Sequence, residues 1–221
     1  QIFKHAYGEV NESIYITYNN ISRAYNEQGN NDLAIDYALK SLELRKRLFG
    51  DTHVTVAIAY HNIAGIYVDN KELEKAIEYY TMSLDVFINT IGESHPYTAN
   101  TYNSLGIAYD NMGQDDLAMD CYLKSLNISI ELYGENCIDA SYAYNSIGNL
   151  YRDRGEYTLA LDYLNKALSI CESEYGLEHL NTCFIYANIG SVYDNLGEYS
   201  VAIEYYRKAE NTFVQKLGEE H

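Results

Sequence analysis

The chain of 221 residues has no tryptophan, one proline (Pro96) and four cysteines, and its 15 Lys and Arg are outnumbered by 32 Asp and Glu. Each scarcity excludes something. A formal net charge of −17 speaks against the clustered cations with which a protein neutralises nucleic acid. It also disfavours anionic membrane surfaces. No apolar run approaches the roughly 18 residues of a membrane-spanning helix, and residues 1–20 carry no signal peptide. The cysteines (Cys121, Cys137, Cys171, Cys183) form no Cys-x-x-Cys pair, so neither a disulfide framework nor a thiolate metal site is indicated. No Ser-His-Asp constellation, glycine-rich phosphate loop or His-Glu-x-x-His is visible. There is accordingly no catalytic residue, cofactor or metal to nominate, and the expectation is a protein that is not an enzyme. Yet 47% of the chain is hydrophobic, which argues for order.

What is present is a period. Glycines stand 42 residues apart at Gly8, Gly50, Gly92, Gly134, Gly176 and Gly218. With each glycine as position 1, position 11 is always tyrosine (Tyr18, Tyr60, Tyr102, Tyr144, Tyr186), and so is position 18 (Tyr25, Tyr67, Tyr109, Tyr151, Tyr193). Position 27 is always alanine (Ala34, Ala76, Ala118, Ala160, Ala202). A fixed period without insertions marks a repeat array whose units touch mainly their neighbours. The units are residues 8–49, 50–91, 92–133, 134–175 and 176–217. Residues 1–7 read as the end of a preceding helix and 218–221 as the start of a further repeat. Neither end carries a polar capping unit, so the expectation is a single solenoid over 1–221, excised from a longer protein.

Within a unit the apolar residues follow a helical spacing. Tyr102, Leu105, Gly106 and Tyr109 lie at i, i+3, i+4 and i+7, one face of a helix over about residues 96–112. A second helix over about 115–132 buries Leu117, Ala118, Cys121, Tyr122, Ser125, Leu126 and Ile128. Glycine at Gly29, Gly113, Gly155 and Gly197, with Lys71 as the exception, suits a left-handed cap between the two helices. Position 15 is small (Ser22, Ala64, Gly106, Gly148, Gly190), which lets the helices approach closely. No period-two pattern competes. The fold class is all-α: an α-solenoid (right-handed superhelix) of antiparallel helix pairs, ten helices of about 16–18 residues plus a stub. The 25 tyrosines cluster at fixed repeat positions and so are packing residues first.

His53, His95, His179 and His221 share position 4 with Asn11 and Cys137. They lie one repeat apart, and packed helix axes are about 8–10 Å apart, whereas zinc ligands converge at about 2.0–2.3 Å. These residues therefore shape the turn into each first helix, where Pro96 suits the first helical position.

The units resemble the tetratricopeptide repeat: a large residue, Leu-Gly, Tyr, then Ala, an aromatic and a small residue. In the third unit these are Tyr102, Leu105-Gly106, Tyr109, Ala118, Tyr122 and Ser125, and in the fifth Tyr186, Ile189-Gly190, Tyr193, Ala202, Tyr206 and Ala209. The longer period and the link Gly92–Pro96 resemble the kinesin light chain and nephrocystin-type subfamily. That resemblance implies a cytoplasmic, non-catalytic scaffold that binds an extended peptide or partner helix on its concave side. The acidic charge leads to the expectation of no nucleic acid and no membrane as partners. Two alternatives are a peptide-sensing regulatory region of a larger enzyme or signalling protein, and a rod that self-associates through uncapped ends. The subfamily's basic groove for acidic peptides does not carry over to so acidic a chain, so the expected ligand is neutral or of mixed charge.

In the family the first helix of each unit lines the groove. Positions 9, 12, 16 and 19 then share its open face. These are Ile16, Asn19, Arg23 and Asn26; Ile58, His61, Gly65 and Val68; Asn100, Asn103, Ile107 and Asp110; Tyr142, Asn145, Asn149 and Arg152; Phe184, Ala187, Ser191 and Asp194. Asn19, Asn103 and Asn145 form a ladder whose amides suit a peptide backbone, or else bond the neighbouring repeat. Ile58, Val68, Tyr142 and Phe184 offer apolar pockets. Arg23 and Arg152 each offer a two-point contact to a carboxylate.

Overall fold

A computed structural model describes residues 2–218 and the side chains of residues 12–211. Among the described residues there are ten helices and no strand: α1 (Ile2–Glu27), α2 (Asn31–Phe49), α3 (Val54–Asp69), α4 (Leu73–Ile91), α5 (Pro96–Asn111), α6 (Asp115–Tyr133), α7 (Ile138–Asp153), α8 (Tyr157–Tyr175), α9 (Leu180–Asn195) and α10 (Tyr199–Gly218). Contacts divide the chain into two compact units, Gln1–Ala118 and Met119–His221, with the boundary inside α6. In the first unit α1 pairs with α2 and α3 with α4. The second helix of each pair then packs on the next first helix, α2 on α3 and α4 on α5. The second unit repeats the scheme with α7–α8, α9–α10, and α8 on α9. First helices of successive repeats also meet, α3 with α5 and α7 with α9. This is the all-α solenoid of helix pairs that the period predicts.

The helices alternate in length. First helices α3, α5, α7 and α9 have 16 residues; second helices α2, α4, α6 and α8 have 19. The second helices exceed the expected length because they run to the residue before the link glycine. α1 differs more. The sequence predicts a helix end at Tyr7 and a turn at Gly8, whereas α1 continues through both, a single glycine costing an α-helix only about 1 kcal/mol. The expected start of a further repeat lies, apart from Gly218, outside the described residues.

The turns follow from backbone chemistry. Gly50 holds φ 87° and donates its N–H to Lys46 O at 2.9 Å, closing α2. The hairpin turn of the second repeat is the exception, with Lys71 at φ 61°, a region where a side chain crowds the backbone. First helices open on side-chain caps. His53, His95 and His179 accept the backbone N–H two residues on through Nδ1, at 3.2, 3.1 and 3.2 Å. Cys137 accepts the N–H of Ala140, three residues on, through sulfur at 3.4 Å. Each satisfies a donor that a helix start leaves unpaired.

The packing explains the small residues. The position-27 alanines are at most 2% exposed. Across from them, Ser22 at position 15 donates its hydroxyl to Ala34 O at 2.7 Å. A Cβ at Gly148 would lie 2.7 Å from Leu164 Cγ and 3.2 Å from Ala160 O. The helices are therefore too close there for anything larger.

The tyrosines form boxes. Tyr163 stacks on Tyr151 with ring centroids 5.5 Å apart and tilts against Tyr144 at 6.0 Å, while Lys166 Nζ lies 5.2 Å from the Tyr163 centroid. The same three-ring arrangement recurs as Tyr18–Tyr37–Tyr25, Tyr60–Tyr79–Tyr67 and Tyr186–Tyr205–Tyr193. Each such pair contributes about 0.5–1.5 kcal/mol beyond simple burial. In the third repeat Cys121 takes the middle place. It is buried, and burial pushes its thiol up to about 11, consistent with packing as its role.

Candidate functional site

The residues at positions 9, 12, 16 and 19 are all left outside the buried core. Ile16, Arg23, Asn100, Ile107, Tyr142, Phe184 and Asp194 are exposed. Asn19, Asn26, Ile58, His61, Val68, Asn103, Asp110, Asn145, Asn149 and Arg152 are half-buried. The reason is register: the residues at positions 11, 14, 15 and 18 turn toward the second helices, and positions 9, 12, 16 and 19 are left on a face that meets mainly the neighbouring first helices, α3 with α5 and α7 with α9.

In the first unit the side chains of this face are tied to one another across repeats. Asn62 donates Nδ2–H to Asn19 Oδ1 at 3.2 Å. Asn26 donates to Asp69 Oδ2 at 2.7 Å. His61, in the asparagine slot of its repeat, meets Thr101 Oγ1 at 3.1 Å. Thr101 gives its one hydroxyl proton to Tyr97 O at 2.8 Å, so His61 donates through Nδ1–H. Its ring stands edge-on to Tyr80 at 5.2 Å. Burial lowers its pKa to about 4, and the imidazole is neutral at pH 7. Asn103 keeps a buried Oδ1 without a partner. Arg23 is exposed and 3.9 Å from Glu27.

In the second unit Asn188 donates Nδ2–H to Asn145 Oδ1 at 2.8 Å. Arg152 is already engaged. Its Nε and Nη2 grip the two oxygens of Asp153 at 2.8 and 3.2 Å, and Nη1 reaches Asn149 Oδ1 at 3.0 Å. The two-point contact expected for a ligand carboxylate is therefore filled from within the chain. Tyr142 accepts from Asn181 Nδ2 at 3.2 Å and meets the Tyr175 hydroxyl at 3.4 Å. Burial first, then the bond with Tyr175, pushes the Tyr142 hydroxyl up to about 12.

Asn62, Asp69 and Asn188 are partners that the one-face reading passes over. A signal for them exists: Asn19–Asn62, Asn26–Asp69 and Asn145–Asn188 are all 43 residues apart, one more than the period. Of the ladder, Asn19 and Asn145 bond the neighbouring repeat through their oxygens. Among the described residues no group of three or more His, Cys, Asp or Glu side chains could hold a metal ion, and no helix is long and apolar enough to cross a membrane.

Stacked helix pairs with an open first-helix face define an α-solenoid repeat protein. The tetratricopeptide-repeat family profile matches residues 13–87, 55–131 and 139–213, and the chain belongs to that family. Its fold is of the kinesin-light-chain-like type. A Podosopora anserina protein of that type, with nearly identical TPR-like repeats, has a similar crystal structure: TM-score 0.70, 16% identity, covering 90% of this chain and 95% of that one. BtubC (BKLC) from P. vanneervenii gives TM-score 0.67 and 17% identity over 94% of this chain and 92% of that one. A Rap conjugation gene regulator, solved in complex with a Phr peptide, gives TM-score 0.76 and 15% identity over 92% of this chain and 54% of that one. Among curated proteins none matches the sequence. Tetratricopeptide repeats generally serve protein–protein interaction and are typically non-catalytic.

Proposed function

We propose that this chain is a non-catalytic scaffold that holds an extended peptide or a partner helix against its first helices. The observation that carries this reading is the open face itself. Its side chains are not loose, because the asparagine pairs hold them in place before any ligand arrives, and preorganisation lowers the ordering cost of binding. With their oxygens used in the pairs, Asn19 and Asn145 retain NH2 groups that match peptide carbonyls. Four unpaired cysteines fit a reducing, cytoplasmic setting. The test is to pan a random-peptide phage library against the chain. Selected peptides are expected to lose about tenfold in affinity on Asn103→Ala/Asn145→Ala; peptides indifferent to both changes overturn the reading.

A second reading is a peptide-sensing regulatory region, in which binding shifts the helix stack and so a neighbouring domain. The similarity to a Rap regulator that was solved with a peptide favours it. Small-angle scattering of the chain with a selected peptide would show a changed radius of gyration, and an unchanged one would leave the scaffold reading alone.

A further inference from the structure

The second unit carries a feature at the junction of the fourth and fifth repeats that recurs in no other described repeat. Tyr142, Tyr175, Leu177, Leu180 and Phe184 are 41, 40, 60, 39 and 56% exposed, a concentration of large apolar groups of the kind that marks interaction surfaces. The slot of Tyr142 and Phe184 holds Ile16, Ile58 and Asn100 in the other repeats.

The aromatic groups are held in place by a closed circuit. Tyr175 stacks on His179 at 4.1 Å. His179 Nδ1 accepts the backbone N–H of Asn181 at 3.2 Å, and the Asn181 side chain donates to the Tyr142 hydroxyl at 3.2 Å. The Tyr142 hydroxyl meets that of Tyr175 at 3.4 Å, which closes the loop. The Tyr142 ring is thus both pinned and open to solvent.

The stretch of chain that carries Tyr175 and Phe184 has charge of one sign. From Lys166 to Arg207 the intervening chain has no Lys or Arg and six acids: Glu172, Glu174, Glu178, Asp194, Glu198 and Glu204. Glu172 accepts the Tyr186 hydroxyl at 2.5 Å, but Glu174 and Glu178 flank the exposed Tyr175 and Leu177 and are themselves exposed. Open aromatic faces attract cations through the ring quadrupole, and carboxylates beside them add to that field. Arg152, the cation of this face, is neutralised by Asp153. An anionic ligand has nothing to meet there.

We infer that Tyr142, Tyr175 and Phe184, with Glu174 and Glu178, form a receptor for a cationic side chain of the bound peptide, arginine above all. A guanidinium is flat, stacks on rings and still offers N–H groups to carboxylates. The inference rests on the peptide-binding reading of the first-helix face and names its ligand class, a basic segment rather than one of neutral or mixed charge.

Three fluorescent ten-residue peptides test it against the whole 221-residue chain: alternating Arg-Leu, citrulline-Leu and Glu-Leu. Citrulline keeps the shape of arginine and removes its charge. The arginine peptide is expected to bind about tenfold more tightly than the citrulline one, and Phe184→Ala, at an exposed position, to remove most of that advantage. Glu174→Gln/Glu178→Gln should lower affinity and flatten its salt dependence, while Met82→Ala, an exposed change on the second helix α4 away from the first-helix face, leaves both unchanged. Equal binding of the arginine and citrulline peptides, binding indifferent to Phe184→Ala and Tyr142→Ala, or no binding at all overturns the assignment. The two readings fail separately. An arginine peptide that responds to Asn103→Ala/Asn145→Ala but not to Phe184→Ala leaves the groove and removes the cation site. An arginine peptide that responds only to Phe184→Ala does the reverse.

Discussion

Asn188 reaches back one period plus one residue to place its side-chain amide on Asn145 Oδ1, at 2.8 Å between half-buried partners. The bond links first helices of adjacent repeats. Replacing Asn188 with alanine should cost about 1 kcal/mol. In a double-mutant cycle with Asn145→Ala the coupling should be about 0.5–1 kcal/mol. Urea unfolding of the four proteins measures it, and additive losses would show that the contact contributes nothing of its own.

Two glycines of adjacent phase should answer an added methyl group with opposite sign. Gly148→Ala places Cβ 2.7 Å from Leu164 Cγ, an overlap that should cost about 1–3 kcal/mol. At Gly65 the new Cβ meets only the Tyr80 hydroxyl, at 3.8 Å. Gly65→Ala should therefore gain up to about 1 kcal/mol of helix propensity. Thermal unfolding of the pair decides it, and a stabilised Gly148→Ala would contradict the close approach of α7 and α8.

Lys71 holds the left-handed turn that glycine holds in the other repeats. Lys71→Gly should stabilise the second hairpin by about 0.5–1 kcal/mol, the relief of crowding exceeding the entropy returned to the unfolded chain. Lys71→Ala removes the same side chain without relieving φ and should gain nothing. A stabilised alanine variant in calorimetry would trace the effect to the lysine charge instead.

His61 makes stability depend on pH. Its folded pKa is lowered to about 4 by burial, below the unfolded value of about 6.5. As pH falls below about 6.5 the unfolded chain takes a proton that the folded chain refuses, so stability is lost progressively down to about pH 4. The full span is about 3 kcal/mol. Thr101 and Tyr80, which contact the ring, carry no charge to oppose this. His61→Asn should flatten the difference between denaturation midpoints at pH 7.5 and pH 5; an unaltered difference would place the acid sensitivity elsewhere.

Much of this architecture can be read from residue spacing. The period, the helix pairing, the small position 15 and the role of the position-4 histidines as caps are visible because each depends on local chemistry. The inter-repeat bonds are harder to see. Asn19 and Asn145 stand out because they recur in one column, but their partners Asn62 and Asn188 sit one column over, and two columns pair only when helices are set side by side. Arg152 shows the same difficulty at shorter range. Read alone it offers a free guanidinium, yet the acid that occupies it is its immediate neighbour, Asp153. The length of α1 was hidden because a link glycine resembles a turn wherever it stands.

The tyrosine boxes draw all their rings from one helix pair, although Lys46 of the first repeat reaches over Tyr60 of the second, whereas the asparagine bridges and the His179–Tyr175 stack draw on two. A whole 42-residue cassette could thus be duplicated or excised with its aromatic interior intact, and only a single seam would need resewing. An insertion of one residue inside a first helix would instead put the bridges that span it out of register with their mates. The array is built to change length in whole steps and to resist change in fractions of one.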